Sequence, residues 1–280
     1  MKAIGFGPFV GDFKSEILSF RPYTRWISEV LDVENIFLFT HFNRDFLYDW
    51  IQKENIFPIY YHLTREELNQ VGYQHKDVKQ RDFNLMLKIF KEKIIEKTGY
   101  NRKDIELYHL DYIKNPLFKP LHQKIFTKIK IPNIEIPEEY KNCVIFIPYG
   151  IENVGKSRML HEFLYQNYNA LVVGNLEISL TWDNIILNHI DYFEIGYKLI
   201  FKILSEAKLI ICTTSYWTFL CNLQGWPVFS YGPSPGPYRK GGIYYFDNKK
   251  SMIMSADEGT AVKSIISMIE YFINRIETEK

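Results

Sequence analysis

Short apolar runs alternate with stretches of helical periodicity along most of this 280-residue chain, and that alternation constrains the fold more than any other feature. Residues 3–6 form the first run, and a helical stretch over 15–31 follows it. Further runs at 36–40, 57–61 and 105–110 bracket a long helix that Asp77 can cap. The helix carries Phe83, Met86, Leu87, Phe90, Ile94 and Ile95, and Gly99 closes it as a left-handed residue. Strands and helices in strict alternation predict an α/β fold with mainly parallel strands.

Residues 128–141, KIKIPNIEIPEEYK, interrupt the pattern with two prolines and no helical period, which suits an extended connector. The alternation then restarts. Strands are expected at 143–148, 170–173, 208–213 and 227–231, with a short apolar run at 243–246. Helices are expected at 156–168, 196–206, 215–224 and 258–276. The expected architecture is two Rossmann-like α/β domains facing a cleft: residues 1–130, a linker at 131–141, and residues 142–280. The last helix is a candidate to pack back on the first domain.

Composition excludes several classes. Thirty-four Lys and Arg against thirty-three Asp and Glu leave a formal charge of +1, which argues against a nucleic-acid partner held by bulk charge. No apolar stretch is long enough to span a bilayer, and the N-terminus lacks the pattern of a signal peptide. Three irregularly spaced cysteines make neither a disulfide framework nor a zinc site, so the expected location is the cytoplasm.

Ligands of open parallel sheets bind beyond the carboxyl ends of the strands. Gly11, Asp12, His41 and His109 lie at such ends in the first half; Lys156, Ser157, Arg158, Thr214, Ser215, Gly232, Arg239 and Lys240 do so in the second. Residues 150–157, GIENVGKS, satisfy the P-loop pattern after a strand and before a helix. Glu152 is an odd presence in a phosphate cradle, and the strand at 208–213 lacks a terminal Asp for magnesium, for which Asp191 is the substitute. The broader reading is a strand–turn–helix phosphate site in which Lys156, Ser157 and Arg158 open the helix.

Residues 207–215, AKLIICTTS, then Leu220, then 225–233, GWPVFSYGP, run through helix end, apolar strand, Thr/Ser turn, helix, Gly-x-Pro-Val, strand and Gly-Pro loop. This order resembles the C-terminal half of heptosyltransferase-type glycosyltransferases of the two-domain GT-B architecture. Gly11-Asp12 followed by Arg21-Pro22 is similar to the family's N-terminal Gly-Asp turn and the proline beyond it. The resemblance implies sugar transfer from a nucleotide-sugar donor, with Asp12 as base on the acceptor and Lys156, Ser157 and Arg158 on the donor phosphate. The family's second-half turn reads Asp-Thr/Ser-Gly with a histidine three residues on; here Thr214, Ser215, Tyr216 and Phe219 stand in those places.

Inverting transfer needs a base for the acceptor hydroxyl and positive groups for the departing diphosphate. Asp12 fits the first role, with His41 and His109 as rivals. Lys156, Arg158, Ser215 and the Gly232–Gly242 loop, with Arg239 and Lys240, fit the second without a metal or cofactor. Two alternatives stand beside this reading: a P-loop kinase or NTPase using magnesium, and a GT-B-like binding protein that has lost catalysis. The expected partner is a nucleotide-sugar; the acceptor stays open among a glycan, a lipid-linked sugar, a protein and a modified nucleic-acid base.

Overall fold

A computed structural model describes residues 2–10, 13–31, 33, 35–59, 80–109, 126–148, 154–174, 189–233, 235–242 and 244–278. The chain divides into two compact units, Met1–Lys130 and Ile131–Lys280.

In the first unit, β1 (Ala3–Phe6), β2 (Asn35–His41), β3 (Ile56–Ile59) and β4 (Ile105–Tyr108) form a parallel sheet of order β3-β2-β1-β4. Every residue of β1 is buried, as expected of a central strand covered on both faces. One turn, Phe13–Ser15, and a π-helical segment, Glu16–Phe20, lead without a break into α1 (Arg21–Leu31). The helix α2 (Gln80–Thr98) lays Phe83, Met86, Phe90 and Ile94 against Phe37, Phe39 and Ile105 of the sheet. Fully burying a side chain such as Phe90 contributes about 1.5–3 kcal/mol. Gly5 makes this approach possible, since a Cβ there would stand 2.8 Å from the Phe90 ring. Gly99 ends α2 with φ +69° and donates its N–H to Ile95 O, the left-handed stop the sequence predicts. Asp77, its expected cap, lies outside the described residues.

The second unit contains β5 (Val144–Ile147), β6 (Leu171–Gly174), β7 (His189–Asp191), β8 (Leu209–Thr213), β9 (Val228–Gly232) and β10 (Ser251–Ser255). All pair in parallel in the order β10-β9-β8-β5-β6-β7. Counted within the unit, this is the doubly wound order of dinucleotide-binding folds. Its helices are α3 (Val154–Tyr168), α4 (Tyr192–Ser205), α5 (Tyr216–Gln224) and α6 (Val262–Thr278). Ile265, Ile269, Phe272 and Ile273 of α6 are buried in this unit's own core, beside Leu160 and Leu164 of α3 and Phe229 of β9. Gly196, the expected start of α4, has φ 76° and breaks the helix after its first turn.

The α/β class and the Rossmann-like sheets expected from the sequence are present. Two strands fall where none was expected: the three-residue β7, and β10 at Ser251–Ser255 rather than in the apolar run at 243–246.

Candidate functional site

In a doubly wound sheet, connections from the two strands flanking the point of reversal leave toward opposite faces and open a crevice between them. In the second unit that point lies between β5 and β8, because β6 and β7 extend one way and β9 and β10 the other. The crevice therefore gathers the ends of β5, β8 and β9 with the first turns of α3 and α5.

Ser157, in the first turn of α3, is buried near the Tyr231 hydroxyl at the end of β9, a hydroxyl that has no hydrogen-bond partner of good geometry among the described residues. Burial pushes the Tyr231 phenol well above its ordinary range, and the Ser157 contact offsets part of that rise. Thr214, just past β8, donates its N–H to Tyr231 O at 2.7 Å. Its own Oγ1 is buried without a partner among the described residues. Gly232 faces it, and a Cβ on Gly232 would sit 2.9 Å from Thr214 Oγ1. Ser157, Thr214 and Gly232 are thus brought together, with an unpaired hydroxyl among them.

Ser215 stands at the same place but works for the helix. Its Oγ accepts from the Trp217 N–H at 3.3 Å, while Thr218 Oγ1 accepts from the Ser215 N–H at 3.2 Å, a capping box that fixes where α5 begins. Gly225, with φ 77°, closes α5 at its other end. The positive end of the α5 dipole consequently points into the crevice, which suits an anionic group.

The basic residues are disposed differently. Lys156 donates to the carbonyls of Asp257 and Glu258, at 2.7 and 2.5 Å, in the loop after β10. Arg158 pairs with Glu162 one turn along α3, at 3.1 Å. Arg239 donates to Ile253 O of β10 at 3.2 Å. Lys240 lines a pocket of about 260 Å³ with Asn222, Tyr238 and Asn248. The structure brings neither Arg239 nor Lys240 to the crevice. Gly150–Asn153 of the P-loop-like pattern lies outside the described residues, and Asp191 ends β7, the edge strand two places from β5.

In the first unit the reversal falls between β1 and β4. Gly7 leaves β1 with φ 111°, donates to Tyr108 O at 2.8 Å, and passes so close to β2 that a Cβ would lie 2.3 Å from Phe39 O. Gly11 and Asp12 follow, outside the described residues, and Phe13 resumes the described chain, buried. His41 ends β2 with its ring edge-on to Phe9, and His109 follows β4 edge-on to Phe83.

Sequence reasoning missed the most conspicuous polar group of this unit. Glu16 is 0% exposed and accepts hydrogen bonds from Thr40 Oγ1, Arg44 Nη1 and Tyr48 OH, each at 2.7 Å. Burial, and then the Glu16 charge, hold the Tyr48 phenol well above its ordinary range. The available signal was helical phase, since Phe13, Ile17 and Phe20 share a face with Glu16, which places a carboxylate on an apolar stripe. Arg21 is a second buried charge. It donates to Leu47 O, Thr127 O and Lys128 O at 2.6, 2.9 and 3.1 Å and stacks on Trp50; burial lowers its pKa to about 10. The arginine of the Arg21-Pro22 pair thus ties the end of the first unit to its body.

Known structures match this arrangement over nearly the whole chain. A glycosyl transferase family 9 protein from Veillonella parvula DSM 2008 matches with TM-score 0.57 at 13% identity, over 98% of this chain and 97% of that one. The shared property is the fold. The E. coli heptosyltransferase WaaC, solved with ADP, matches with TM-score 0.55 at 10% identity, over 97% of this chain and 100% of that one. E. coli ADP-heptose lps heptosyltransferase II matches with TM-score 0.50 at 9% identity, over 99% and 100% of the two chains. No protein-family model and no curated protein matches the sequence. The heptosyltransferase-like fold, expected from residues 207–233 and the first thirty residues, therefore extends along both units. Among the described residues, no helix is long and apolar enough to cross a membrane.

Proposed function

We propose that this chain is a glycosyltransferase that moves a sugar from a nucleotide-sugar donor to an acceptor hydroxyl, with inversion and without a metal ion. The observation that carries the reading is the unpaired, buried Thr214 hydroxyl at the reversal point of a six-stranded dinucleotide-type sheet, beside Ser157, Gly232 and the start of α5. Such a set of neutral donors on a helix dipole suits a diphosphate, and one structure of the same fold holds ADP. As the anomeric carbon parts from the diphosphate, helix-start amides and hydroxyls take up the developing negative charge. The acceptor oxygen attacks from the opposite side in a single displacement and gives its proton to Asp12, which directly follows the β1 turn in sequence. The two histidines rank below Asp12 because both rings are packed against phenylalanines. The P-loop reading has less support, since Lys156 spends its ammonium on the carbonyls of Asp257 and Glu258. Three free thiols fit a reducing cytoplasm.

Calorimetric titration with UDP, GDP, ADP, CMP and ATP, with and without magnesium, tests this. One nucleoside diphosphate is expected to bind without metal, and Gly232→Val, which drives a side chain into Thr214, should abolish that binding. With the matching nucleotide-sugar, Asp12→Asn should bind normally and lose about 10²- to 10⁴-fold in transfer. Tight ATP binding that requires magnesium would overturn the proposal.

A further inference from the structure

The pocket of about 260 Å³ beside Lys240 lies away from the crevice. It is bounded by the last turn of α5, the segment 238–248 and the edge strand β10. The helix α5 starts at the carboxyl rim of the sheet and runs back across it. Asn222 therefore stands ~9 Å along from the helix start, on the side where Ser251 opens β10 and also lines the pocket.

Asn222 is the most buried polar group of the pocket. It is 4% exposed, on a helix whose nine residues are all buried, a setting in which an amide is a poor substitute for a leucine. Its Oδ1 accepts from Asn248 Nδ2 only at 3.5 Å, the limit of a hydrogen bond. That Asn248 nitrogen already bonds Trp226 O at 2.8 Å, so it is held without Asn222. Asn222 Nδ2 itself donates to nothing among the described residues. A buried amide nitrogen without an acceptor is costly, and this one borders a cavity.

The charged lining is uncommitted as well. Lys240 and Asp247 line the same pocket, and neither joins an ion pair among the described residues. Arg239 gives Nη2 to Ile253 O and walls the edge-strand side. The Tyr245 hydroxyl reaches Asp247 Oδ1 at 3.5 Å, and its ring stacks on no other ring among the described residues. The pocket thus offers an ammonium and an amide N–H₂ to acceptors, a carboxylate to donors, and an aromatic face.

We propose that this pocket binds a sugar phosphate, at a site separate from the crevice. Phosphate oxygens answer Lys240, a ring or hydroxyl oxygen accepts from Asn222, hydroxyls donate to Asp247, and the C–H face of the sugar covers Tyr245. Inorganic phosphate alone would fill a fraction of the volume and meet Asp247 as a like charge. A bare sugar would leave Lys240 unanswered. The volume lies just under the ~300 Å³ at which small-molecule pockets begin, which suits a single phosphorylated sugar. Such a site stands whether or not the crevice transfers sugar.

The test titrates the full chain calorimetrically with glucose 1-phosphate, glucose 6-phosphate and ribose 5-phosphate, each beside its unphosphorylated sugar and inorganic phosphate. At least one sugar phosphate should bind ten or more times tighter than either of its parts. Lys240→Ala, which removes an exposed side chain, should weaken that binding at least tenfold, and Lys240→Arg should retain it. Asn222→Asp, checked for folding by circular dichroism, replaces the free amide with a carboxylate and should abolish it. An excess of UDP, GDP or ADP should not displace the sugar phosphate. No sugar phosphate bound, equal affinity for inorganic phosphate, full affinity in Lys240→Ala or Asn222→Asp, or displacement by a nucleotide overturns the site.

Discussion

The two units place polar groups at the same topological position, the carboxyl rim of a parallel sheet, and use them in opposite ways. The second unit leaves part of its rim unsatisfied: among the described residues Thr214 has an unpaired hydroxyl, Gly232 contributes bare backbone, and a helix start faces inward. The first unit buries a full charge under its rim and satisfies it with three donors, leaving only Phe42 and Asn43 of the turn after β2 outward. An unpaired hydroxyl is a vacancy for a ligand, whereas a satisfied buried ion pair is a fixture. The contrast separates a rim with hydrogen-bonding capacity left over from one that its own side chains complete.

The largest expected effect lies on the fixture. Glu16→Gln removes the carboxylate charge that faces the buried Arg44 guanidinium, and breaking a buried ion pair in this way costs about 3–5 kcal/mol. Urea unfolding should show that loss, and native-state hydrogen exchange should confine it to β1 and β2 while the strands of the second unit keep their protection. An unchanged midpoint would erase the distinction between the units.

Alkaline pH should weaken the second unit next. Burial pushes the Cys212 thiol up to about 12 and raises Cys221 and Tyr231 as well, so in the folded chain these groups hold their protons after an unfolded chain has released its own. With folded values raised, stability is complete below the unfolded values and declines as pH climbs above about 9, by about 1.4 kcal/mol per pH unit for each proton held. Tyr48 adds one such group in the first unit. Denaturation midpoints at pH 8 and 10.5 measure the decline, and a flat profile would count against dry surroundings for these side chains.

The smallest effect should come from Ser215→Ala. Loss of the cap costs about 1 kcal/mol and frays the start of α5, so a modest drop in melting temperature should accompany weaker nucleotide binding. If stability falls while nucleotide affinity holds, the helix start does not contribute to the pocket.

Much of the fold was legible because parallel strands covered on both faces appear as uninterrupted apolar runs, as in 144–147 and 209–213. The two edge strands of the second sheet escaped for the same reason reversed. β10 is only partly buried, so its sequence SMIMS need not be uniformly apolar, and β7 is three residues long. At the site, Ser157, Thr214, Ser215 and Gly232 could be placed together because each lies at the end of a strand or the start of a helix whose position the sheet dictates. Arg239 and Lys240 could not, since a proline-rich loop carries its side chains wherever its turns lead. Glu16 stayed hidden because its partners lie 24, 28 and 32 residues away, beyond the reach of any local pattern.

Arg239 bears on how molecules of this chain meet one another. Lys250 O and Ala256 N bond to β9, so the alternate carbonyl of Ile253 points to the open side of β10, and it is there that the Arg239 guanidinium is seated. A strand approaching from another molecule would have to expel a charged group before gaining its first backbone hydrogen bond. The loop around Arg239 thus serves as a bumper against edge-to-edge association, a colloidal role carried by a residue that the sequence alone would assign to ligand binding.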